Sequence, residues 1–189
     1  MNKAKIIGLC GDIGAGKSTV ADIMVRKHGF AEVTFKQPII NALLSIFPEL
    51  GEKQFSDREL KEKMLPSGYT PRYLMQTLGT DWGRKLVDPN IWIDRARRST
   101  HALILRGIPV VISDIRFPNE YDMIKSLGGV VMRVTRYEKK LCPIEEITAV
   151  AEHESESYKI DADTTIDNSY SMVYLEQLVD FKLNLTGLR

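Results

Sequence analysis

The chain has 189 residues, 43% hydrophobic and 27% charged, so it can bury the core of a globular domain without disulfides or a structural metal. Lysine and arginine total 26 against 25 acidic residues, a balance that excludes a general attraction to nucleic acid or to an anionic membrane surface. The first apolar run is broken by glycine and is too short for a signal peptide or a membrane span, which predicts a cytoplasmic protein.

Hydrophobic patterning predicts strands that alternate with helices along the chain. Short apolar, β-branched runs predict strands at residues 5–10, 32–35, 109–113, 130–134 and 164–166. Helical periodicity predicts helices at residues 17–28, 39–47, 58–64, 71–86, 91–106, 119–127 and 171–185. This alternation predicts a single α/β domain over residues 1–189. Its architecture is expected to have three layers, α/β/α, with a mostly parallel five-stranded sheet in the middle.

The helix predicted at residues 71–86 has a clear start and two unusual interior positions. Thr70 is a good N-cap, and Pro71 suits the first helical position. Gly79 and Gly83 lie inside the helix, where each costs about 1 kcal/mol relative to alanine. A kink or a close packing contact is therefore expected there.

A glycine-rich segment between the first strand and the first helix matches G-x-x-x-x-G-K-[ST] at every fixed position. Such a P-loop turns its backbone N–H groups toward phosphates, and the helix that follows adds its positive dipole end. The segment predicts an ATP·Mg²⁺ site in which Lys17 reaches the β- and γ-phosphates and Ser18 binds Mg²⁺. The residues of this loop are Gly11, Asp12, Ile13, Gly14, Ala15, Gly16, Lys17, Ser18 and Thr19.

A second anchor is the segment SDIRFPNE, in which Asp114 ends the strand predicted at residues 109–113. If that strand neighbours the first, Asp114 is placed to help hold Mg²⁺; otherwise it is a turn or helix-capping residue. Arg116 either contacts a phosphate of the substrates or is a plain surface arginine. Asp12 either orients the acceptor through water or is a surface loop aspartate.

With these anchors, the sequence resembles the phage-type deoxynucleoside monophosphate kinases, a branch of the nucleoside monophosphate kinase-like fold. The resemblance covers most of the chain and rests on GDIGAGKST, TPRYLMQTLGTDWGR, SDIRFPNE, HESE and TTIDNSYSMVYL. It implies the reaction ATP + dNMP → ADP + dNDP, with ATP and Mg²⁺ as cofactors and a small nucleotide as acceptor. A phage-encoded member is expected in the host cytoplasm.

The resemblance also implies a helical acceptor region, at about residues 36–106. Arg72, Gln76 and Thr80 recur at i, i+4 spacing and share one helix face. The arginine suits recognition of a monophosphate, and the amide of Gln76 suits hydrogen bonding to a base edge. Trp82 or Tyr73 either stacks on the base or packs between helices. Lys36, after the second strand, either binds the acceptor phosphate or is a solvated loop residue. The candidate acceptor residues are Lys36, Arg72, Gln76, Thr80 and Trp82, with Tyr73 as a second aromatic.

A lid is expected at about residues 136–160, following the fourth predicted strand. Closure of such a lid brings cations to the transferring phosphoryl group. Arg136 is the candidate for that role, ahead of Arg133, Lys139 and Lys140, while the His153–Glu156 segment is a family marker without an assigned role. Asn168 follows the last strand, where related kinases pack near adenine, or its side chain makes an Asx turn.

Three other functions compete with this interpretation. Dephospho-coenzyme A kinase shares the P-loop, but its hydroxyl acceptor calls for an acidic residue just after the second strand, where this chain has Phe35, Lys36 and Gln37. A P-loop ATPase switch needs a residue that orients water, and no N-K-x-D motif is present. A polynucleotide kinase needs a basic excess that the charge balance does not supply. The sequence is also compatible with a homodimer formed through exposed helices.

Overall fold

The computed structural model describes residues 5–137 and 160–185. The chain divides into two compact units, one made of Met1–Val33 with Thr100–Arg189 and the other of Thr34–Ser99. Within the described residues, no helix combines the length and the apolar character needed to cross a membrane. The single domain predicted over residues 1–189 stays a prediction.

The first unit contains the five-stranded sheet, in the order β2-β3-β1-β4-β5. Every pairing is parallel, as expected for strands separated by helices. The strands are β1 (Ile6–Cys10), β2 (Ala31–Val33), β3 (Val110–Ile112), β4 (Val130–Thr135) and β5 (Thr164–Asp167). The predicted α/β fold with a parallel sheet is confirmed.

Helices α1 (Lys17–His28) and α7 (Met172–Leu185) pack together on one face of this sheet. The other face carries α6 (Pro118–Ser126), and the methyl ends of Ile115 and Ile124 lie less than 3.0 Å from where a Cβ on Gly8 would stand. The cluster buried under α1 and α7 includes Ile7, Leu9, Val20, Ile23, Met132, Ile166, Leu175 and Val179. Burial on both faces explains why the strands read as continuous apolar runs.

The strand order determines which loops meet at one edge of the sheet. β1 is flanked by β3 and β4, and β5 lies beyond β4. Because all strands run in the same direction, the segments that follow them leave at the carboxyl edge, where ligands bind in such sheets. The strand that precedes Asp114 therefore neighbours β1, as the sequence analysis required for a metal role.

The second unit is helical, and one helix predicted there is wrong. Instead of a helix at residues 58–64, a short helix ends at Ser56 and a 3₁₀ turn follows. The physical reason is Asp57, whose carboxylate accepts hydrogen bonds from the N–H groups of Glu59 and Leu60, each at 2.9 Å, and so interrupts the helical backbone. The elements are α2 (Gln37–Ile46), α3 (Glu52–Ser56), the turn Leu60–Glu62, α4 (Pro71–Gln76), a π-helix (Thr77–Val87) and α5 (Ile91–Leu105), which continues into the first unit.

The helix predicted at residues 71–86 is an α-helix only as far as Gln76 and then widens into the π-helix. A Cβ on Gly79 would come within 2.8 Å of Ile39, and one on Gly83 within 2.7 Å of the Trp92 ring. The Trp92 indole also donates a hydrogen bond to the Gly79 carbonyl at 2.8 Å. The expected close packing at the two glycines is therefore present. π-helical turns of this kind are frequent at functional sites.

Candidate active site

The P-loop (residues 11–19) joins β1 to α1 and depends on glycines with positive φ. Gly11, Gly14 and Gly16 have φ values of 133°, 83° and 96°, which L side chains rarely adopt. Two of these positions also have no room for a side chain, because a Cβ would lie less than 3.0 Å from the Val134 carbonyl at Gly11 and from the Asn168 side chain at Gly16. Conformation therefore favours glycine at all three positions, and at Gly11 the contact with a backbone carbonyl adds a steric requirement.

The N-terminus of α1 is suited to receive an anion. Gly16 occupies its N-cap, and within the described part of the chain no side chain caps the helix. Its first turn holds no acidic residue. Free N–H groups and the positive dipole end therefore face the loop, and this donor set fits the phosphate groups of a nucleotide.

Lys17 lies within the P-loop, with its ammonium group turned back on the loop. Its Nζ donates hydrogen bonds to the carbonyl oxygens of Gly11 at 2.6 Å and Asp12 at 2.8 Å. Burial lowers the pKa of Lys17 and the Arg116 guanidinium lowers it further, while the carboxylates of Asp12 and Asp114 oppose that change. The predicted catalytic residues Arg116 and Asp114 therefore lie near enough to Lys17 to influence its pKa.

The segment after β3 is held by β1 and by the start of α6. The Ile115 N–H donates to the Leu9 carbonyl at 3.3 Å. The Glu120 carboxylate accepts from the N–H groups of Arg116 at 2.7 Å and Phe117 at 3.1 Å. Phe117 occupies the N-cap position of α6. The metal-binding role of Asp114 and its turn or helix-capping alternative both stay predictions.

The two candidate Mg²⁺ ligands come from different elements of the first unit. Ser18 is exposed in the first turn of α1, and Asp114 is half-buried just beyond β3. A hydroxyl and a carboxylate are hard oxygen ligands of the type that Mg²⁺ prefers, with phosphate oxygens and water completing its shell. In residues 5–137 and 160–185, no group of three or more His, Cys, Asp or Glu side chains is arranged to hold a metal.

The side chain of Asn168 contacts the P-loop. Its Nδ2 donates a hydrogen bond to the Ala15 carbonyl at 2.9 Å, and its backbone N–H donates to the Thr135 carbonyl at 2.7 Å. The Asx turn considered for this residue belongs to its neighbour, since the Asp167 carboxylate accepts from the Ser169 N–H at 2.9 Å. The spacing of the motif gave no sign of this contact, because the two partners are 153 residues apart.

The arginines at the end of β4 differ in their surroundings. Arg133 is half-buried and its guanidinium donates to the Ile160 carbonyl, so it is engaged in the structure of the first unit. Arg136 is exposed one residue beyond β4. Most of the lid expected at residues 136–160 lies outside the described residues, including Lys139, Lys140 and the His153–Glu156 segment.

In the second unit, the start of α4 follows the sequence expectation. Thr70 caps the helix by accepting a hydrogen bond from the Tyr73 N–H at 3.2 Å, and Pro71 occupies the first turn. The Arg72 guanidinium is paired with the Glu62 carboxylate, with both side chains about half exposed. The Tyr73 ring stacks on Tyr69, with 5.3 Å between centroids and 10° between planes. Arg72 is therefore paired with a carboxylate of the second unit.

The other candidate acceptor residues are accessible to differing extents. Gln76 and Thr80 are half-buried, and Lys36 is exposed at the N-cap of α2. Trp82 is 47% exposed, whereas Trp92 is buried against the π-helix. The interhelical packing that the sequence analysis considered for an aromatic residue of this region is thus performed by Trp92.

One acidic residue near the site was overlooked in the sequence analysis. Glu32 lies in β2, and its carboxylate accepts a hydrogen bond from the hydroxyl of Ser113, the buried residue that precedes Asp114. The signal available in the sequence was a glutamate that interrupts an otherwise apolar strand.

Comparison with known proteins gives concordant results. Residues 53–177 match the family model described as deoxynucleotide monophosphate kinase. A putative deoxynucleotide monophosphate kinase of Acanthamoeba polyphaga mimivirus is 35% identical over 142 residues, which are 69% of this chain and 74% of the viral protein. The deoxynucleoside-5′-monophosphate kinase of Escherichia phage T5 is 24% identical, covering 80% of this chain and 84% of that protein. Dephospho-CoA kinase from Campylobacter jejuni superposes with a TM-score of 0.50 at 16% identity over 97% of each chain, a likeness of fold alone.

Proposed function

This chain belongs to the deoxynucleotide monophosphate kinase family, and we propose that it transfers the γ-phosphoryl group of ATP, bound with Mg²⁺ at the P-loop, to a deoxynucleoside 5′-monophosphate. Membership makes it a transferase that phosphorylates a deoxynucleotide monophosphate, and a P-loop kinase uses ATP. The roles of individual residues and the place of Mg²⁺ belong to the proposal. Formation of a homodimer and a cytoplasmic location stay predictions.

The observation that carries the donor part of the proposal is the geometry of the P-loop. Positive φ values at its glycines, an α1 N-terminus without a side-chain cap and the ammonium of Lys17 together favour a polyphosphate. Bound Mg·ATP supplies the transferable phosphoryl group and the charge of the metal. Ser18 and Asp114 are the oxygen ligands proposed for that metal.

The chain's own contribution to catalysis is positioning and electrostatic stabilisation. Lys17 and Arg116 interact within the first unit, and both would stabilise negative charge that spreads over the transferring phosphoryl group. Arg136, which is exposed one residue beyond β4, is proposed to join them. The acceptor is already an anion near neutral pH, so no general base is required.

The acceptor is proposed to bind along α4 and the π-helix. Arg72 offers a guanidinium for the monophosphate, and Gln76 and Thr80 offer hydrogen-bonding groups for the base. Trp82 presents an exposed indole that suits stacking, and Lys36 adds an exposed cation. Phosphate recognition by Arg72 requires it to leave Glu62 or to contact both groups at once.

The test is ADP release with Mg·ATP across a panel of deoxynucleoside monophosphates, ribonucleoside monophosphates and dephospho-coenzyme A, with a control that lacks acceptor. We expect turnover with one or more deoxynucleoside monophosphates and little without acceptor. Turnover that needs no acceptor would identify an ATPase switch. Activity confined to dephospho-coenzyme A would place the chain with that kinase and assign Glu32 as a candidate base.

Replacement of Arg72 by alanine is expected to raise the KM for the acceptor about tenfold to hundredfold, because a charged hydrogen bond to phosphate contributes roughly 1.5–3 kcal/mol. The KM for ATP should change little. Steady-state kinetics with each substrate varied in turn gives both values. Lys85→Ala is the matched control, since it removes an exposed cation from the π-helix whose partner is Asp81. An effect of Arg72→Ala on ATP alone would remove α4 from the acceptor site.

A further inference from the structure

The side chain of Asn168, in the loop after β5, contacts the P-loop. Its Nδ2 donates to the Ala15 carbonyl at 2.9 Å. Its own backbone is fixed by the hydrogen bond from its N–H to the Thr135 carbonyl at 2.7 Å. The P-loop is thus connected through Asn168 to the end of β4, a rigid part of the sheet.

We infer that Asn168 is a positioning residue of the P-loop, which holds the Ala15–Gly16 peptide so that the Gly16 N–H faces the bound phosphates. The described chain contains no cis peptide, and in a trans peptide the carbonyl and the following N–H point in opposite directions. Because the Ala15 carbonyl points at Asn168, the Gly16 N–H points away from Asn168. This inference rests on the proposed binding of ATP at the P-loop.

The packing of the same side chain on Gly16 agrees with this assignment. A Cβ at this position would lie less than 3.0 Å from the amide nitrogen of Asn168, so the side chain packs directly on the Gly16 backbone. At the other end of the loop, a Cβ on Gly11 would meet the Val134 carbonyl in the same way. The P-loop therefore packs against β4 at Gly11 and against Asn168 at Gly16. On the side that faces Asn168, this packing restricts rotation of the Ala15–Gly16 peptide.

A positioning role differs in its consequences from recognition of adenine by the Asn168 side chain. If Asn168 acts through the P-loop, its loss weakens every ligand that presents a polyphosphate, with or without a base. If it recognises adenine, its loss weakens ATP and leaves a base-free polyphosphate unaffected. Inorganic tripolyphosphate with Mg²⁺ is therefore the discriminating probe.

The experiment compares wild type with Asn168→Leu and Asn168→Ala by titration calorimetry against Mg·ATP and Mg·tripolyphosphate. Both substitutions remove the donor without adding charge, and the leucine keeps the number and branching of the side-chain heavy atoms of asparagine. Loss of one positioned hydrogen bond is expected to raise the Kd of both ligands about tenfold. Ser171→Ala is the matched control, because in the same loop it removes a hydroxyl that accepts a hydrogen bond from the Tyr174 N–H at 3.3 Å.

The outcomes separate this inference from the proposed function. Wild-type transfer to a deoxynucleoside monophosphate combined with unchanged tripolyphosphate affinity in the variants would overturn the inference and keep the function. The inference would also fall if wild type bound no tripolyphosphate, or if both variants lost their thermal unfolding transition while Ser171→Ala kept it, since Asn168 would then support the fold. Absence of phosphoryl transfer by the wild-type protein would instead contradict the proposed function.

Discussion

Replacement of Lys17 by alanine is expected to lower the rate of phosphoryl transfer about hundredfold or more, the loss typical when one preorganised charge is removed from a transferring group. The ammonium of Lys17 bonds to the carbonyls of Gly11 and Asp12 within its own loop. Burial and the nearby Arg116 keep its pKa below the usual range, so it is a cation already partly removed from water. When a phosphate oxygen replaces these carbonyl oxygens as the partner of the ammonium, the attraction between the two charges is strong because little water screens it.

The measurement for Lys17→Ala is the kcat of the coupled ADP assay with a saturating acceptor, together with thermal unfolding to verify the fold. Lys27→Ala serves as the control, because it removes a lysine from the opposite end of α1, where it pairs with Glu176. That control should retain nearly full activity. Transfer by Lys17→Ala at close to the wild-type rate would contradict the assignment of the P-loop as the donor site.

Replacement of Gly11 by alanine is expected to lower the free energy of unfolding by about 3 kcal/mol, the sum of backbone strain and a steric clash. Its φ of 133° is unfavourable for any L side chain. The new Cβ would also meet the Val134 carbonyl, and this backbone atom belongs to β4, which pairs with both β1 and β5. The carbonyl is therefore unable to move aside without disturbing the sheet.

Gly14→Ala separates the two contributions. Gly14 has a φ of 83°, and a Cβ there would have nothing within 4 Å among the described residues. Only conformational strain then remains, and the expected loss is about 1–2 kcal/mol. Urea unfolding of both variants gives the comparison. Equal losses would mean that β4 yields to the new methyl group and that close packing does not explain Gly11.

Several parts of the site were predictable because they depend on local sequence. A strand, a glycine-rich turn and a helix are consecutive at residues 5–28, and helix α1 has the predicted bounds. The Thr70 cap and the following proline likewise depend on neighbours three residues apart. The parallel sheet followed from the alternation of strands and helices, because parallel strands need a crossover between them.

Other features were wrong or missed, one because of a local competitor for hydrogen bonds and the others because residues distant in the sequence decide them. The helix expected at residues 58–64 does not form, because the carboxylate of Asp57 accepts hydrogen bonds from backbone N–H groups at its start. The π-helix follows α4 where Trp92 bonds to the Gly79 carbonyl and packs on Gly83, and a periodicity of 3.6 residues gives no sign of such a contact. Trp82 and Trp92 were indistinguishable by residue type, and only packing separates the exposed indole from the buried one.

The sequence by itself determined the chemistry at the donor end of the site, because a phosphate-binding loop is built from consecutive backbone N–H groups and one lysine. The tertiary structure alone decided how that loop is held. Asn168 reaches Ala15 across 153 residues, and Gly11 and Gly16 are glycines also because β4 and Asn168 occupy the space beside them. Hydrogen bonds and steric exclusion act over a few ångströms in space, whatever the separation along the chain, so no local pattern encodes them.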